Sequence, residues 1–185
     1  MFSKEQKEHI VMTKIVLRNT LDDKLRIFGP YEKRLYEWYL TGGAIGALLR
    51  DDIPNDYDIF FETHGAMSHV SDLIKGSMDL IQHVEESDSK YGNLIIDNKL
   101  VTTNAITMKN GLQFITRVAG SPDKVRESFD YVHCMPYYSF ATNHLFISEE
   151  QYDCCMNKVL KVNNETTVTD KRKTKFIMQG FKECQ

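Results

Sequence analysis

The chain has 185 residues, of which 42% are hydrophobic and 26% are charged, a composition sufficient for a hydrophobic core in one ordinary domain. Its formal net charge of -3 indicates no overall basic character, so contact with nucleic acid would require a local patch. The four cysteines form no CxxC pair, which argues against both a zinc site and a disulfide framework.

The N-terminus and the hydropathy pattern indicate no membrane segment. The first residues are charged and lack the apolar core of a signal peptide. No apolar run approaches the roughly 20 residues that a membrane helix needs. We therefore expect a protein that acts in the cytoplasm, without membrane association.

The N-terminal part of the sequence is predicted to combine helices with two short strands. Apolar residues at helical spacing predict a helix over 4–28, which Gly29-Pro30 would end. The elements expected next are a short helix over 31–38, a strand over 38–40, a helix over 44–50, a strand over 58–62 and a helix over 65–75.

The remaining sequence is predicted to form strands and then helices. Asn110-Gly111 between the β-rich runs 100–108 and 112–118 is a strong hairpin signal. The other expected elements are a strand over 80–84, a polar loop over 85–90, a helix over 121–127, a strand over 129–138, a helix from 148 and a last helix over 169–181. Together they predict an α+β fold, a small mixed β-sheet with flanking helices.

The most informative pattern joins a glycine pair to two carboxylates. Thr41-Gly42-Gly43 precedes a short helix, and Asp56-Tyr57-Asp58 follows it. Alternate residues of a strand lie on one face, so Asp56 and Asp58 should point the same way, and oxygen ligands suit Mg²⁺. Glycines before a helix let backbone N–H groups approach an anion. The pattern therefore predicts a site for a triphosphate with Mg²⁺.

A third carboxylate is usually needed for two-metal phosphoryl transfer. Asp130 is the best candidate, because it starts a predicted strand that could lie beside the strand of Asp56 and Asp58. The alternative is that Asp130 simply faces solvent. The other acids considered lie in turns or near loops: Asp51, Asp52, Asp79 and Asp97.

Two further groups of residues allow both a structural and a functional interpretation. The basic run of 171–173 with Lys175 is either a solvated helix face or a contact to phosphate or an RNA backbone. His133 and Cys134 are expected to be core or strand residues rather than a catalytic pair, since strand neighbours point to opposite faces.

The glycine pair, the short helix and the Asn-Asp-Tyr-Asp-Ile-Phe-Phe run of 55–61 resemble the polymerase-β-like nucleotidyltransferases. They are most similar to the catalytic head of CCA-adding enzymes and bacterial poly(A) polymerases. The segments 103–107, 113–117, 128–134 and 175–181 resemble small nucleotidyltransferase-like proteins often encoded by bacteriophages. The resemblance covers about 38–182. It implies one nucleotidyltransferase-like domain over 1–185, with an N-terminal helical region to about 36, a catalytic core to about 140 and C-terminal helices beyond.

The resemblance also implies a chemistry. Asp56, Asp58 and Asp130 would be the catalytic ligands of Mg²⁺ or Mn²⁺. The β- and γ-phosphates of a nucleoside triphosphate would be held by Thr41, Gly42 and Gly43. An acceptor, either an RNA 3′ end or a protein, would take the nucleotidyl group and release pyrophosphate. If the protein is phage-encoded, the reaction would take place in the host cytoplasm.

One departure from the family pattern keeps other functions open. CCA-adding heads usually carry Arg-Asp shortly after the glycine pair, where this chain has Gly46-Ala47. The alternative is a catalytically inactive protein of the same fold that serves as a nucleotide-binding or interaction module. A third option is a toxin-like transferase that modifies tRNA or a partner protein.

Overall fold

The computed structural model describes residues 1–28, 36–74, 77–86, 93–96 and 99–184. The helices are α1 (Lys4–Leu25), α2 (Gly43–Leu49), α3 (His64–Ile74), α4 (Pro122–Arg126), α5 (Glu149–Met156) and α6 (Asp170–Met178). The main-sheet strands are β1 (Trp38–Thr41), β2 (Tyr57–Phe61), β3 (Ile81–Glu86), β4 (Asn93–Ile96), β5 (Lys99–Met108), β6 (Leu112–Ala119), β7 (Tyr137–Ser139) and β8 (His144–Phe146). A separate parallel pair consists of β9 (Val159–Leu160) and β10 (Lys182–Glu183).

The main sheet is mixed, as the sequence predicts. Its strand order is β3-β5-β6-β2-β1-β7-β8, and β4 pairs with the outer part of β5. Only the β2–β6 pair of this sheet is parallel within the described residues, and it sets Asp58 opposite Gln113. The predicted β5–β6 hairpin is confirmed, with Gly111 at a φ of 84° in the turn.

Alternation along β2 separates the two faces of the sheet. Ile59 and Phe61 belong to the main hydrophobic core, whereas Phe60 packs with Tyr39 on the other face. Asp58 lies two residues before Phe60 and therefore on the same face of the strand. The central strand therefore presents its carboxylate on the face opposite the main core.

Helix α1 is capped and packed as part of that main core. Ser3 and Gln6 form a capping box at its start. Its side chains Leu17, Leu21 and Leu25, one helical turn apart, are fully buried, and the helix contacts α2 and β8. The expected N-terminal helical region therefore supports the helix that follows the glycine pair.

The strand predicted over 129–138 is wrong. Only Tyr137–Ser139 is a strand there, and Val132–Cys134 forms a 3-10 helix. The apolar side chains of Tyr131 and Cys134 pack against Leu160, Phe176 and Phe181 in a cluster of their own instead of entering the sheet. An alternating apolar pattern cannot distinguish these two environments, because both bury the same side chains.

Most of the other predicted elements match the structure within a few residues. The short helix expected over 31–38 lies mostly outside the described residues, as does most of the polar loop expected over 85–90. No helix in the described part of the chain is both long enough and apolar enough to cross a bilayer.

Candidate active site

A cavity of about 990 Å³ lies over the face of the sheet that carries Asp58. Its walls come from α2, the start of β2, β6, the loop around Asp130, and α6. Asp56, Asp58 and Asp130 all line it, together with Gly42 and Gly43. The structure thus brings five of the six predicted site residues to one cavity, although the six span about half of the chain.

Asp58 has a carboxylate oxygen, Oδ1, that is buried without a hydrogen-bond partner among the described residues. The pKa of Asp58 is raised to about 7, mainly by burial and also by the neighbouring charge of Asp56, against the opposing effect of nearby basic side chains. An unpartnered carboxylate oxygen in a polar cavity is costly unless something binds it.

The paired carboxylates fit a divalent cation. Asp56 and the unpartnered Oδ1 of Asp58 line the same cavity and offer oxygen ligands of the kind that Mg²⁺ and Mn²⁺ prefer. Mg²⁺ commonly takes only one or two carboxylates plus substrate phosphates and water. Within the described ranges, however, no group of three or more His, Cys, Asp or Glu side chains could hold a metal ion.

Asp130 is placed differently from the prediction. It precedes the 3-10 helix instead of starting a strand beside β2, whose neighbours are β1 and β6. Its carboxylate is 4% exposed and forms a two-point ion pair with Arg172 through both oxygens. Asp130 therefore reaches the cavity but does not join Asp56 and Asp58 in a three-carboxylate group, which corrects the expected arrangement.

Asp58 leaves no space for a side chain at position 42, and the backbone N–H of Gly42 is not free to bind a ligand. A Cβ at Gly42 would lie 2.8 Å from Asp58 Oδ2, and the residue has φ 96° and ψ -156°. Its N–H already donates to the carbonyl oxygen of Cys134 at 3.1 Å. The expected use of this N–H for phosphate is therefore not supported. At Gly43, in contrast, an added Cβ would meet no atom within 4 Å, and the residue lines the cavity.

Thr41 does not line the cavity. Its side chain is fully buried, and its hydroxyl lies 2.8 Å from the carbonyl oxygen of Pro136 and 3.1 Å from that of Cys134. The predicted contact with a nucleotide is therefore wrong for Thr41. Its hydroxyl instead ties β1 to the segment that leads into β7.

Five basic side chains line the cavity: Arg50, Arg117, Lys158, Arg172 and Lys175. The basic run predicted on the last helix divides between two roles. Arg172 and Lys175, three residues apart on α6, face the cavity, whereas Lys173 forms an ion pair with Glu183. Helical spacing alone could have identified the first pair.

Sequence reasoning missed Arg50 and Arg117. Arg50 follows Gly46 by one helical turn and donates from Nη1 to the carbonyl oxygen of Cys155 at 2.8 Å. A Cβ at Gly46 would meet Cys155 Sγ at 3.2 Å, so a side chain there would require the cysteine to shift. Arg50, at the C-terminal end of the same helix, brings a guanidinium to the cavity.

His133 and Cys134 are core residues, as expected, although on a 3-10 helix. His133 is 2% exposed and packs on Phe176 and Phe181, and burial lowers its pKa to about 4. Burial likewise raises the pKa of the Cys134 thiol. The 3-10 helix brings Cys134 Sγ to 3.4 Å from His133 Nε2, contrary to the expected opposite faces, but a thiol whose pKa is raised is not an activated nucleophile.

Comparison with solved structures supports the fold. A CCA-adding enzyme in complex with CTP aligns with a TM-score of 0.59 at 15% identity, covering 95% of this chain and 42% of that one. The Thermotoga maritima CCA-adding enzyme complexed with tRNA gives 0.53 at 14% identity, with coverage of 88% and 39%. A CCA-adding enzyme complex with ATP gives 0.55 at 17% identity, with coverage of 89% and 39%. The chain thus spans about two fifths of these structures, and at such identities the likeness concerns the nucleotidyltransferase fold.

Comparison at the level of sequence identifies the family. No curated protein gives a significant match. Residues 5–179 match the model of a family described as Gad2, Gabija anti-defense 2. Since that match covers nearly the whole chain, the protein belongs to the Gabija anti-defense 2 family.

Proposed function

We propose that this protein is a metal-dependent nucleotidyltransferase that modifies an RNA 3′ end or a protein and thereby counters the defence named in its family description. The observation that carries the proposal is the Asp58 carboxylate, whose Oδ1 is unpartnered and whose Oδ2 faces Gly42, in a cavity that Asp56 and basic side chains also line. The structural neighbours support nucleoside triphosphates and RNA as partners, since their complexes contain CTP, ATP or tRNA.

The carboxylates and the basic side chains would have separate roles in this reaction. Asp56 and Asp58 would hold Mg²⁺ or Mn²⁺, which would lower the pKa of the acceptor hydroxyl and stabilise charge on the transferring group. Basic side chains would hold the negatively charged phosphates in place. The acceptor oxygen attacks the α-phosphorus, the bond from that phosphorus to the bridging oxygen breaks, pyrophosphate leaves, and the hydroxyl proton passes to solvent.

The phage-related character of the family supports a proposal for the cellular setting. We place the reaction in the cytoplasm of an infected host, where both nucleoside triphosphates and candidate acceptors are present.

Ligand-dependent thermal stabilisation tests the enzyme proposal. A ligand that binds only the folded state raises its apparent stability by mass action, by about 2.7 kcal/mol at a hundredfold excess over Kd. We expect ATP or CTP with Mn²⁺ to stabilise the wild type and not Asp58→Ala, with the exposed Asp79→Asn as the matched control. Absence of a shift with all four triphosphates would contradict the proposal. Pyrophosphate release with RNA, and then with protein, would identify the acceptor.

A second function, a binding module without catalysis, is favoured by one observation. Asp130 is neutralised by Arg172, and no three-carboxylate group is present in the described residues. The two functions differ in a protection assay in cells that carry the Gabija defence. If catalysis is needed, Asp58→Ala loses protection at equal protein abundance. If binding suffices, the variant protects as well as the wild type.

A further inference from the structure

Arg172 and Lys175 of α6, which we call the α6 cations, both line the cavity. We propose that they bind the β- and γ-phosphates of the nucleotide, and that Asp130 serves as a positioning residue for Arg172 and not as a metal ligand. The inference rests on the proposed function, because it concerns the substrate of the same cavity.

Asp130 is a fixed anchor. Its Oδ1 accepts the backbone N–H of Tyr131 at 3.0 Å and Nη2 of Arg172 at 3.1 Å, and its Oδ2 accepts Nε of Arg172. Its backbone carbonyl accepts the N–H of Asn163 at 2.7 Å. Both carboxylate oxygens of Asp130 are thus already paired with a guanidinium, so a metal ion bound there would have to share them with the positive charge of Arg172.

Displacement of Arg172 would be costly. The carboxylate of Asp130 is 4% exposed, so loss of its partner would leave a buried and uncompensated charge. The two-point geometry also fixes the plane of the guanidinium, which Lys could not reproduce. The ion pair is therefore a stable feature that orients Arg172 within the cavity.

Arg172 retains donors for a ligand. Asp130 occupies Nε and Nη2, which leaves Nη1 of the five-donor guanidinium without a hydrogen-bond partner in the described part of the chain. The side chain is 45% exposed, and its guanidinium lies 5.2 Å from the centre of the Phe176 ring. The guanidinium is thus fixed on one side and accessible on the other.

Lys175 adds a second cation in the next turn of α6. It lines the same cavity, and its side-chain ammonium has no hydrogen-bond or ion-pair partner among the described residues. The charges of Lys175 and Arg172 both act on Asp58 and lower its pKa. The cavity thus combines paired carboxylates with accessible cations, as a polyphosphate that chelates a divalent ion requires.

Four other candidates for phosphate binding are less available than the α6 cations, whereas Arg117 and Gly43 also line the cavity. Gly42 N–H is already bonded, Thr41 is buried, and Arg50 and Lys158 are engaged with main-chain carbonyl oxygens. Helix α2, which follows the glycine pair, has only seven residues. The α6 cations are therefore better candidates for phosphate binding than the glycine turn.

The test measures two ligands separately on the whole chain. Inorganic tripolyphosphate without metal probes the α6 cations, and Mn²⁺ alone, followed through the electron paramagnetic resonance of the free ion, probes the carboxylates. The variants are Arg172→Gln, Arg172→Lys and Asp130→Asn. The matched control is Lys171→Gln, which removes an exposed charge from the same helix outside the cavity.

We expect Arg172→Gln and Asp130→Asn to weaken tripolyphosphate binding by about tenfold and to change Mn²⁺ affinity less than about twofold. Arg172→Lys should restore only part of the tripolyphosphate affinity, and Lys171→Gln should be close to wild type. Loss of Mn²⁺ affinity in Asp130→Asn with retained tripolyphosphate binding would overturn the inference, because Asp130 would then be a metal ligand.

Two results separate this inference from the proposed function. Unchanged tripolyphosphate affinity in Arg172→Gln, or no binding by the wild type, overturns the inference while ATP with Mn²⁺ can still stabilise the protein. In the second result, tripolyphosphate still binds, but Asp58→Ala does not change the stabilisation by ATP with Mn²⁺. The inference about the α6 cations then stands, and the proposed transferase is contradicted. Should Asp130→Asn fail to fold, Arg172→Gln and Arg172→Lys decide the question.

Discussion

Gly42 approaches Asp58 so closely that a methyl group on its Cα would lie 2.8 Å from Asp58 Oδ2. Its backbone, at φ 96° and ψ -156°, also lies in a region that is essentially restricted to glycine. The glycine pair of the sequence is thus asymmetric. Gly42 leaves room for the carboxylate of Asp58, whereas Gly43 has free space around its Cα on the side of the cavity.

Substitution of the two glycines tests this asymmetry. We expect Gly42→Ala to lower the free energy of unfolding by about 1–3 kcal/mol, since it adds both backbone strain and the Asp58 contact. Gly43→Ala should change stability by less than about 1 kcal/mol. Urea denaturation measures both. In a double-mutant cycle, Asp58→Ala should relieve part of the Gly42→Ala cost, and strict additivity would contradict a direct contact.

The raised pKa of Asp58 predicts a pH dependence with a definite sign. Because the folded state holds the proton up to about pH 7, the metal-free protein should lose stability as pH rises from the ordinary aspartate pKa through about 7. Asp58→Asn should therefore be more stable than the metal-free wild type above that range, by about 1 kcal/mol or more. Comparison of the two chains cancels the contribution of His133, whose lowered pKa acts in the opposite direction.

Metal binding should oppose that loss. A cation binds the ionised carboxylate, so the stabilisation by Mn²⁺ should be larger near pH 8 than near pH 6 and should vanish in Asp58→Asn. Thermal unfolding with and without Mn²⁺ across this range measures it. A metal effect that is independent of pH, or that survives in Asp58→Asn but not in Asp79→Asn, would place the metal elsewhere.

Truncation of a buried leucine of α1 should lower the free energy of unfolding strongly, although α1 lies outside the cavity. Leu21 is fully buried, so Leu21→Ala should cost about 2–5 kcal/mol. The matched control is Val16→Ala on the same helix, whose side chain is 46% exposed and whose loss should cost less than about 0.5 kcal/mol. Chemical denaturation compares them. Equal effects would mean that α1 does not pack in the orientation described.

The cysteines should differ sharply in reactivity. Cys184 is exposed, whereas Cys134 and Cys155 are buried, and burial raises the pKa of Cys155 to about 12. A thiol reagent should modify Cys184 rapidly in the native protein and reach Cys134 and Cys155 only after unfolding. Cys184→Ser should remove the fast phase. Rapid labelling of Cys134 in the native state would reopen a catalytic role for it.

Local patterns in the sequence were sufficient for much of the fold and for the central carboxylates. Strand alternation places Asp58 on the face of Phe60, and Asn110-Gly111 marks the hairpin between β5 and β6. The capping boxes of α1 and α5 likewise follow a short sequence motif, a serine with a glutamine three residues later. These features depend on backbone conformation over a few residues, so neighbouring side chains are enough to specify them.

Only the tertiary structure decided the partners of Asp130 and Thr41. Asp130 meets Arg172 across 42 positions of sequence, and Thr41 is buried against carbonyl oxygens more than 90 positions away. Arg117 likewise enters the cavity only because β6 lies parallel to β2. Such pairings depend on how distant elements pack. The residues next to an aspartate in the sequence do not indicate whether its carboxylate will bind a metal ion or a guanidinium. Chain folding determines which of the two partners comes within reach.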